Sequence, residues 1–253
     1  MSDLYGIQKI PEVYQCTDYR DKYWGWIKTC CATNDFTLKH IFMYKDSQSS
    51  LEYHVKKDEN YYILSGKLRV GLRIGRAENK EVILNEGDIV GIDFGVFKDE
   101  FYADAAFTFS VGEIDNIVKK LLKVTEDSLF KGISNAKLGN KLFDISKAIQ
   151  DCVESHGFSV VRTFVGHGIG RNLHEDPQVP NFVLQNEQRS RSINLKEGMV
   201  LANEPMVNIG SFEVMPSKDD NDSWTVLTKD GSLSAHFEHT VAITTDGPLI
   251  LTN

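Results

Sequence analysis

An apolar and aromatic stretch that carries two aspartates, GIDFGVFKDEFYADAAFTF at residues 91–109, most constrains how this chain folds. Val, Ile, Phe and Tyr are enriched on both sides of the polar run KDE at 98–100, which predicts a β-hairpin that turns within the run. With 98–99 as a two-residue loop, Asp93 lies directly opposite Asp104, and their Cβ atoms are about 5 Å apart. Because like charges in such a pair repel each other, the hairpin predicts a cation beside them.

The composition predicts a globular, cytoplasmic protein. The 253 residues are 41% hydrophobic, which is enough for one large domain or two small ones. A net charge of −8, from 28 basic and 36 acidic residues, argues against a nucleic acid or an anionic membrane as the partner. The first ten residues lack the pattern of a signal peptide, and no apolar run is long enough for a membrane span.

The order of predicted elements is typical of an α+β protein that is rich in strands first. After the hairpin, apolar spacing predicts one helix over 113–131 and a second over 138–156, which ends before Gly157. Further strands are predicted at 159–165, 199–209, 224–228, 235–243 and 248–252.

Four residues outside the hairpin add metal-binding chemistry. They are His167 in GHGIG, His174 in RNLHEDP, Glu204 in ANEPM and Glu238 in HFEHT. Carboxylate oxygens with one imidazole suit Mn, Fe, Co or Zn, and a carboxylate-rich set can bridge two ions. Strand alternation directs Glu238 and His236 to one face and His239 to the other, so Glu238 can point into a pocket.

Simpler interpretations compete with the metal site. A single strand aspartate usually lies at a protein surface, so the prediction depends on the opposed pair and not on Asp93 or Asp104 alone. GHGIG is not followed by the helix that a dinucleotide site requires, and HFEH lacks the spacing of a helical zinc motif. The glycines around His167 are expected to let a ligand approach the backbone closely.

Four segments in order resemble the catalytic half of a type I methionine aminopeptidase, over about residues 87–253. They are GDIVGIDFGVFKDEFYADAAFTFSVG, GHGIGRNLHEDPQV, EGMVLANEPMVN and WTVLTKDGSLSAHFEHTVAITTDG. The resemblance implies the C-terminal part of a pita-bread (creatinase/aminopeptidase) fold. It also implies metal ligands at Asp93, Asp104, His167, Glu204 and Glu238. His174 then contacts the scissile peptide, and Trp224 lies near the entrance to the methionine pocket.

The resemblance implies a mechanism with two divalent metal ions, which are Co, Mn, Fe or Zn. The ions activate a water molecule, Glu204 accepts its proton, and His174 stabilises the developing oxyanion. Glu204 and His174 are therefore the expected catalytic residues. The implied partners are the N-termini of peptides or nascent proteins.

The front of the chain departs from that family. In the family, a half domain that supplies a further active-site histidine precedes the hairpin, and in this chain a different segment stands in its place. Residues 1–90 instead resemble an incomplete cupin, through SSLEYHVKKDENYYILSGKLRV with His54, Glu59 and Gly66 at the spacing of the first cupin motif. The proline and the metal histidine of the second cupin motif are absent. A join near residue 90 is therefore expected, with a cupin-like β segment before it and the aminopeptidase-like region at 91–253 after it.

Three functions follow, in order of preference. The first is a metalloaminopeptidase that removes N-terminal methionine. The second is a fusion protein that binds metal with weak or no activity. The third is a cupin-type module that binds a sugar phosphate or a nucleotide sugar.

Overall fold

The computed structural model describes residues 18–22, 25–32, 37–44, 68–72, 80–184, 186–217 and 225–252. The chain divides into two compact units, residues 1–60 and 61–253. This division reflects contacts within the chain and does not test family boundaries, so the join near residue 90 stays a prediction.

The first unit contains a three-stranded antiparallel sheet in the order β1-β2-β3. Its strands are β1 (Asp18–Lys22), β2 (Gly25–Ala32) and β3 (Thr37–Met43). The second unit begins with an antiparallel hairpin of β4 (Leu68–Leu72) and β5 (Lys80–Leu84).

The remaining described strands and α-helices of the second unit comprise a central sheet and the elements outside it. In chain order they are β6 (Ile89–Lys98), β7 (Phe101–Ser110), α1 (Asn116–Asn135), α2 (Leu142–Ser155), β8 (Ser159–Val160), β9 (Gly166–Gly168), β10 (Glu175–Val179), β11 (Val200–Asn203), β12 (Met206–Asn208), β13 (Val214–Pro216), β14 (Val226–Thr228), β15 (Ser234–His236), β16 (Glu238–Thr244) and β17 (Gly247–Ile250).

The central sheet has seven strands in the order β10-β9-β11-β16-β7-β6, and β17 also pairs with β16. The other described strands after β7 form a smaller sheet of order β15-β12-β8 and the pair β13-β14. The pairings within these sheets are antiparallel. Sequence-distant strands therefore meet at the middle of the central sheet, where β16 lies between β11 and β7.

The two helices pack against each other and fill the core. The predicted helices at 113–131 and 138–156 are confirmed, with bounds that differ by a few residues. Ile145 and Ile149 on α2 are fully buried. The close approach uses Gly132 on α1, where a Cβ atom would lie 2.8 Å from Ile149 Cδ1. The second helix begins at Leu142, so the predicted start at 138 was four residues too early, and Leu138 is exposed.

The β6–β7 hairpin differs in register from the sequence prediction. Asp99 and Glu100 form the turn, with φ of 49° and 69°, and this geometry is typical of a two-residue type I′ turn. Asp93 therefore pairs with Ala106, and the predicted direct opposition to Asp104 was wrong. The pairing shifts by two residues, and because side chains alternate with period two, both aspartates still share one face.

β6 is an edge strand within the described part of the sheet. Its side chains from residue 91 onward are exposed, including Ile92, Phe94 and Val96 at 47–49% exposure. Such exposure is unusual for large apolar side chains in a strand of a central sheet.

Among the described residues, no helix is long and apolar enough to cross a membrane.

Candidate metal centre

Three buried side chains from separate strands converge in the central sheet. Asp104 on β7, His167 on β9 and Glu238 on β16 each offer a ligand atom, and these atoms lie within 4.8 Å of one another. The three residues are 8%, 8% and 2% exposed. Carboxylates and an imidazole at this spacing are a suitable donor set for a divalent transition metal.

Glu204 joins this group from the loop between β11 and β12. Its Oε1 atom lies 3.5 Å from His167 Nε2, and the residue is 8% exposed. The buried Asn181 donates a hydrogen bond from Nδ2 to the Glu204 carbonyl oxygen at 3.0 Å, which holds the loop backbone in place. Glu204 is therefore a fixed member of the cluster, although it lies outside a strand.

Asp93 lies at the margin of the cluster. It is exposed on β6, and it shares a face of the hairpin with Asp104. Its negative charge contributes to the raised pKa of Asp104, Glu204 and Glu238, so it lies within electrostatic range of each of them. The structure thus brings four of the five predicted ligands into one buried cluster and places the fifth beside it.

Among the described residues, no lysine or arginine forms an ion pair with the buried carboxylates of the cluster. Burial, followed by the neighbouring carboxylates, raises the pKa of Glu238 to about 10 and the pKa of Glu204 to about 8. Burial and the charge of Asp93 likewise raise the pKa of Asp104. Glu238 Oε1 is buried without a hydrogen-bond partner in the part of the chain that the structure describes. These features fit a site for one or more divalent cations, since cations would stabilise the ionised carboxylates.

His167 presents its Nε2 atom to the carboxylates. Its Nδ1 atom lies 2.8 Å from the Gly168 carbonyl oxygen, and because a carbonyl only accepts, Nδ1 carries the proton. Nε2 then has a free lone pair, and it lies 4.0 Å from Asp104 Oδ2. Burial lowers the pKa of His167. The imidazole is therefore in the neutral form that binds metals.

The glycines of GHGIG serve strand packing. A Cβ atom at Gly166 would lie 2.3 Å from the Ala202 carbonyl oxygen, and one at Gly168 would lie 2.3 Å from the Asp176 carbonyl oxygen. The expectation that these glycines let a ligand approach was therefore wrong, because neighbouring backbone occupies that space. They allow β9 to fit between β10 and β11, and this places His167.

Thr240 fixes the Asp104 strand to the Glu238 strand. Its hydroxyl donates to the Asp104 carbonyl oxygen and accepts from the Asp104 backbone N–H, each at 2.8 Å. Since Thr240 is two residues from Glu238 on β16, the two carboxylates are held by one rigid pair of strands.

The remaining predicted site residues are placed differently. His174 is exposed, and its ring centroid lies 4.4 Å from that of His167. His239 packs against Phe107 and Phe130, which confirms that it faces away from the site. Trp224 lies outside the described residues, and so do the predicted cupin residues His54, Glu59 and Gly66.

His236 is a member of the site to which the sequence interpretation gave no role. Its Nε2 atom lies 3.8 Å from Glu204 Oε2. The only sequence signal for its presence in the site was strand alternation, which predicts that it shares a face with Glu238. Its proximity to Glu204 depends on the pairing of β12 with β15, which the local pattern does not contain.

Comparisons of sequence and structure with known proteins agree on one family. Residues 41–245 match the model of metallopeptidase family M24. A methionine aminopeptidase of Clostridium perfringens is 57% identical over 169 residues, which are 67% of this chain and 65% of that protein. The crystal structure of methionine aminopeptidase from Rickettsia prowazekii is 43% identical with a TM-score of 0.64, and the match covers 69% of this chain and 68% of that one. The methionine aminopeptidase structure from Thermotoga maritima is 47% identical with a TM-score of 0.63, over 68% of this chain and 66% of that one.

These matches confirm the mixed α/β pita-bread fold that the sequence predicted for the C-terminal region. The aligned part of the chain spans about two thirds of the length of these relatives. The family match begins at residue 41, so it extends into the segment 1–90 for which a cupin-like fold was predicted.

Proposed function

Because this chain belongs to metallopeptidase family M24, we propose that it is a metal-dependent aminopeptidase that removes N-terminal methionine from peptides or nascent proteins. The observation that supports this most directly is the convergence of Asp104, His167 and Glu238, with Glu204 beside them. Relatives that are 57%, 43% and 47% identical carry the name methionine aminopeptidase, which supports methionine as the residue removed.

The proposed metal ligands are Asp93, Asp104, His167, Glu204 and Glu238. Divalent metal ions, when bound, lower the pKa of water and polarise a carbonyl group. The number of carboxylates favours two ions, because the oxygens of one carboxylate can be shared between two cations. Asp93 is exposed while the other four ligands are buried, so it closes the site on its open side.

Glu204 and His174 are the proposed catalytic residues. Glu204 is buried between two imidazoles, and its carboxylate can accept the proton of a water molecule. His174 is exposed next to His167, where its ring can donate a hydrogen bond to a peptide carbonyl oxygen as negative charge develops. Trp224 is proposed to line the approach to the methionine pocket.

For the front of the chain we propose a cupin-like β segment over residues 1–90. The antiparallel sheet β1-β2-β3 and the β4–β5 hairpin support a β-rich segment. The match to metallopeptidase family M24 begins at residue 41, so residues 41–90 belong both to that match and to the proposed cupin-like segment. The cytoplasmic location stays a prediction.

Hydrolysis of a Met-Ala-Ser peptide tests the proposed function. We expect EDTA to abolish hydrolysis by the full chain and Mn²⁺ or Co²⁺ to restore it. Asp104→Ala should lose both bound metal and activity, while Asp151→Ala, an exposed aspartate on α2, should retain both. Turnover that persists after thorough chelation would contradict a metal-dependent mechanism.

Two other results would favour the alternatives. Metal bound at the site without hydrolysis would favour an inactive fusion protein. Binding of a sugar phosphate that survives Asp93→Ala and Asp104→Ala would favour the cupin-type module.

A further inference from the structure

Two imidazoles flank the Glu204 carboxylate, one at each oxygen. His167 Nε2 lies 3.5 Å from Oε1, and His236 Nε2 lies 3.8 Å from Oε2. The proposed function uses His167 as a metal ligand and assigns no role to His236. The arrangement raises the question of which imidazole can donate a hydrogen bond to Glu204.

His167 cannot donate to Glu204. Its proton is on Nδ1, which donates to the Gly168 carbonyl oxygen, so its Nε2 atom is an acceptor or a metal ligand. The Nε2 atom of His236 is different, because neither a hydrogen bond from the described residues nor the proposed metal site engages it. That atom is buried and has no hydrogen-bond partner among the described residues.

The backbone of His236 is fixed in a position that suits this contact. The Thr108 hydroxyl accepts from the His236 backbone N–H at 2.9 Å and donates to its carbonyl oxygen at 2.7 Å. In the β12–β15 pair, His236 lies opposite Met206, two residues beyond Glu204. The backbone that carries this imidazole is therefore held against both the Asp104 strand and the segment that follows Glu204.

We propose that His236 is a positioning residue whose Nε2–H donates a hydrogen bond to Glu204 Oε2. The present distance of 3.8 Å is longer than a hydrogen bond, and a small side-chain rotation closes it. This bond satisfies the buried Nε2 atom, and it orients the carboxylate so that Oε1 faces His167. The inference rests on the proposed function, because it concerns how Glu204 is held as a metal ligand.

Mn²⁺ binding to the full chain, measured by isothermal titration calorimetry, tests the role of His236. His236→Leu removes the donor, and we expect Mn²⁺ affinity to fall about tenfold or more, as for other residues that orient a metal ligand. His236→Gln keeps a donor at a similar reach, so it should stay within about threefold of the unsubstituted protein. His239→Leu is the matched control, because His239 faces away from the site, and it should not change the affinity.

The visible absorption spectrum of the Co²⁺-loaded protein gives a second readout. It should change in His236→Leu and be restored in His236→Gln, which a general loss of stability would not produce. If His236→Leu does not fold, His236→Asn, whose amide is too short to reach Glu204, should show the same loss of affinity.

Equal affinities in all variants, or equal losses in His236→Leu and His236→Gln, would overturn the positioning role. Failure of the unsubstituted protein to bind Mn²⁺ would instead contradict the proposed function itself.

Discussion

Asp104 lies directly opposite Gly95 across the β6–β7 hairpin, and Asp93 lies diagonal to it, opposite Ala106. The two carboxylates thus share a face without the close contact of a direct cross-strand pair. Gly95 leaves space over Asp104 that a larger side chain would fill. The register that produces this arrangement is set by the turn at Asp99 and Glu100.

Substitution of the turn tests the register. Glu100 has a φ of 69°, a left-handed conformation that favours glycine, and its ion pair with Arg171 is exposed. We expect Glu100→Gly to raise the free energy of unfolding by roughly 0.5 kcal/mol, because relief of backbone strain exceeds the loss of a surface ion pair. Lys98→Gly should lower it, because Lys98 is paired with Phe101 in the strands. Urea unfolding of both variants measures the difference, and the opposite order would contradict this register.

The sequence predicted the shared face of the two aspartates but not their register. KDE offers two possible two-residue turns, and the pairings that they produce differ by two residues, so the face is insensitive to the choice. The helices were predictable because α2 repeats buried residues such as Ile145 and Ile149 at helical spacing.

Other features depend on contacts between distant segments, which a local pattern cannot contain. The role of Gly166 follows from the carbonyl oxygen of Ala202 on a neighbouring strand. The role inferred for His236 follows from the pairing of β12 with β15. The five proposed ligands came from resemblance to a family, and their convergence is a property of the sheet order.

The stability of the chelated protein should fall as pH rises. The pKa of Glu204 is raised from 4.5 to about 8, so between these values the unfolded chain releases a proton that the folded protein retains. The stabilising contribution is complete below pH 4.5 and is lost as pH rises through about 8, and Glu238 extends the loss to about 10. Calorimetry in EDTA between about pH 6.5 and pH 9 should therefore show a falling melting temperature.

Glu204→Gln is the matched variant for this pH dependence. The amide does not titrate, so the fall in melting temperature should be smaller than in the unsubstituted protein. The histidines act in the opposite direction, because a lowered pKa at His167 and His236 makes stability rise with pH up to about 6.5, the ordinary value. Identical slopes above that pH in both proteins would show that Glu204 is not the group responsible.

Gly95 should be sensitive to substitution because it supports the loop that carries His174. A Cβ atom at Gly95 would lie 3.2 Å from Leu173 Cδ1, and the branched side chain of Gly95→Val would displace Leu173 further. We expect peptide turnover to fall at least several-fold while the melting temperature changes little, since a small displacement of His174, a proposed catalytic residue, is costly. Gly91→Ala is the control on the same strand face, where a Cβ atom would make an ordinary contact of 3.8 Å with Thr108. Equal turnover in both variants would contradict this prediction.

Gly132 should tolerate no side chain, although it lies inside helix α1. Alanine normally stabilises a helix relative to glycine by about 1 kcal/mol. Here the added Cβ atom would lie 2.8 Å from Ile149, so we expect Gly132→Ala to destabilise the protein by about 1–3 kcal/mol. Ser134→Ala, at an exposed position of the same helix, should be neutral or slightly stabilising. Thermal unfolding of the two variants compares packing with helix propensity, and a gain in stability for Gly132→Ala would show that the helices can separate.

Because β6 is an exposed edge strand, the proposed metal ligands differ in how rigidly the sheet holds them. Asp104, His167 and Glu238 come from strands with a neighbour on either side, whereas Asp93 comes from a strand that pairs only with β7 in the described sheet. Three donors therefore lie on strands that are paired on both sides, and Glu204 lies on a loop held by Asn181. Asp93 alone of the five proposed ligands lies on the edge strand. A metal ion bound mainly by Asp104, His167 and Glu238 would remain bound after dilution. A metal ion that needs Asp93 would dissociate first, so the two ions would be lost one after the other.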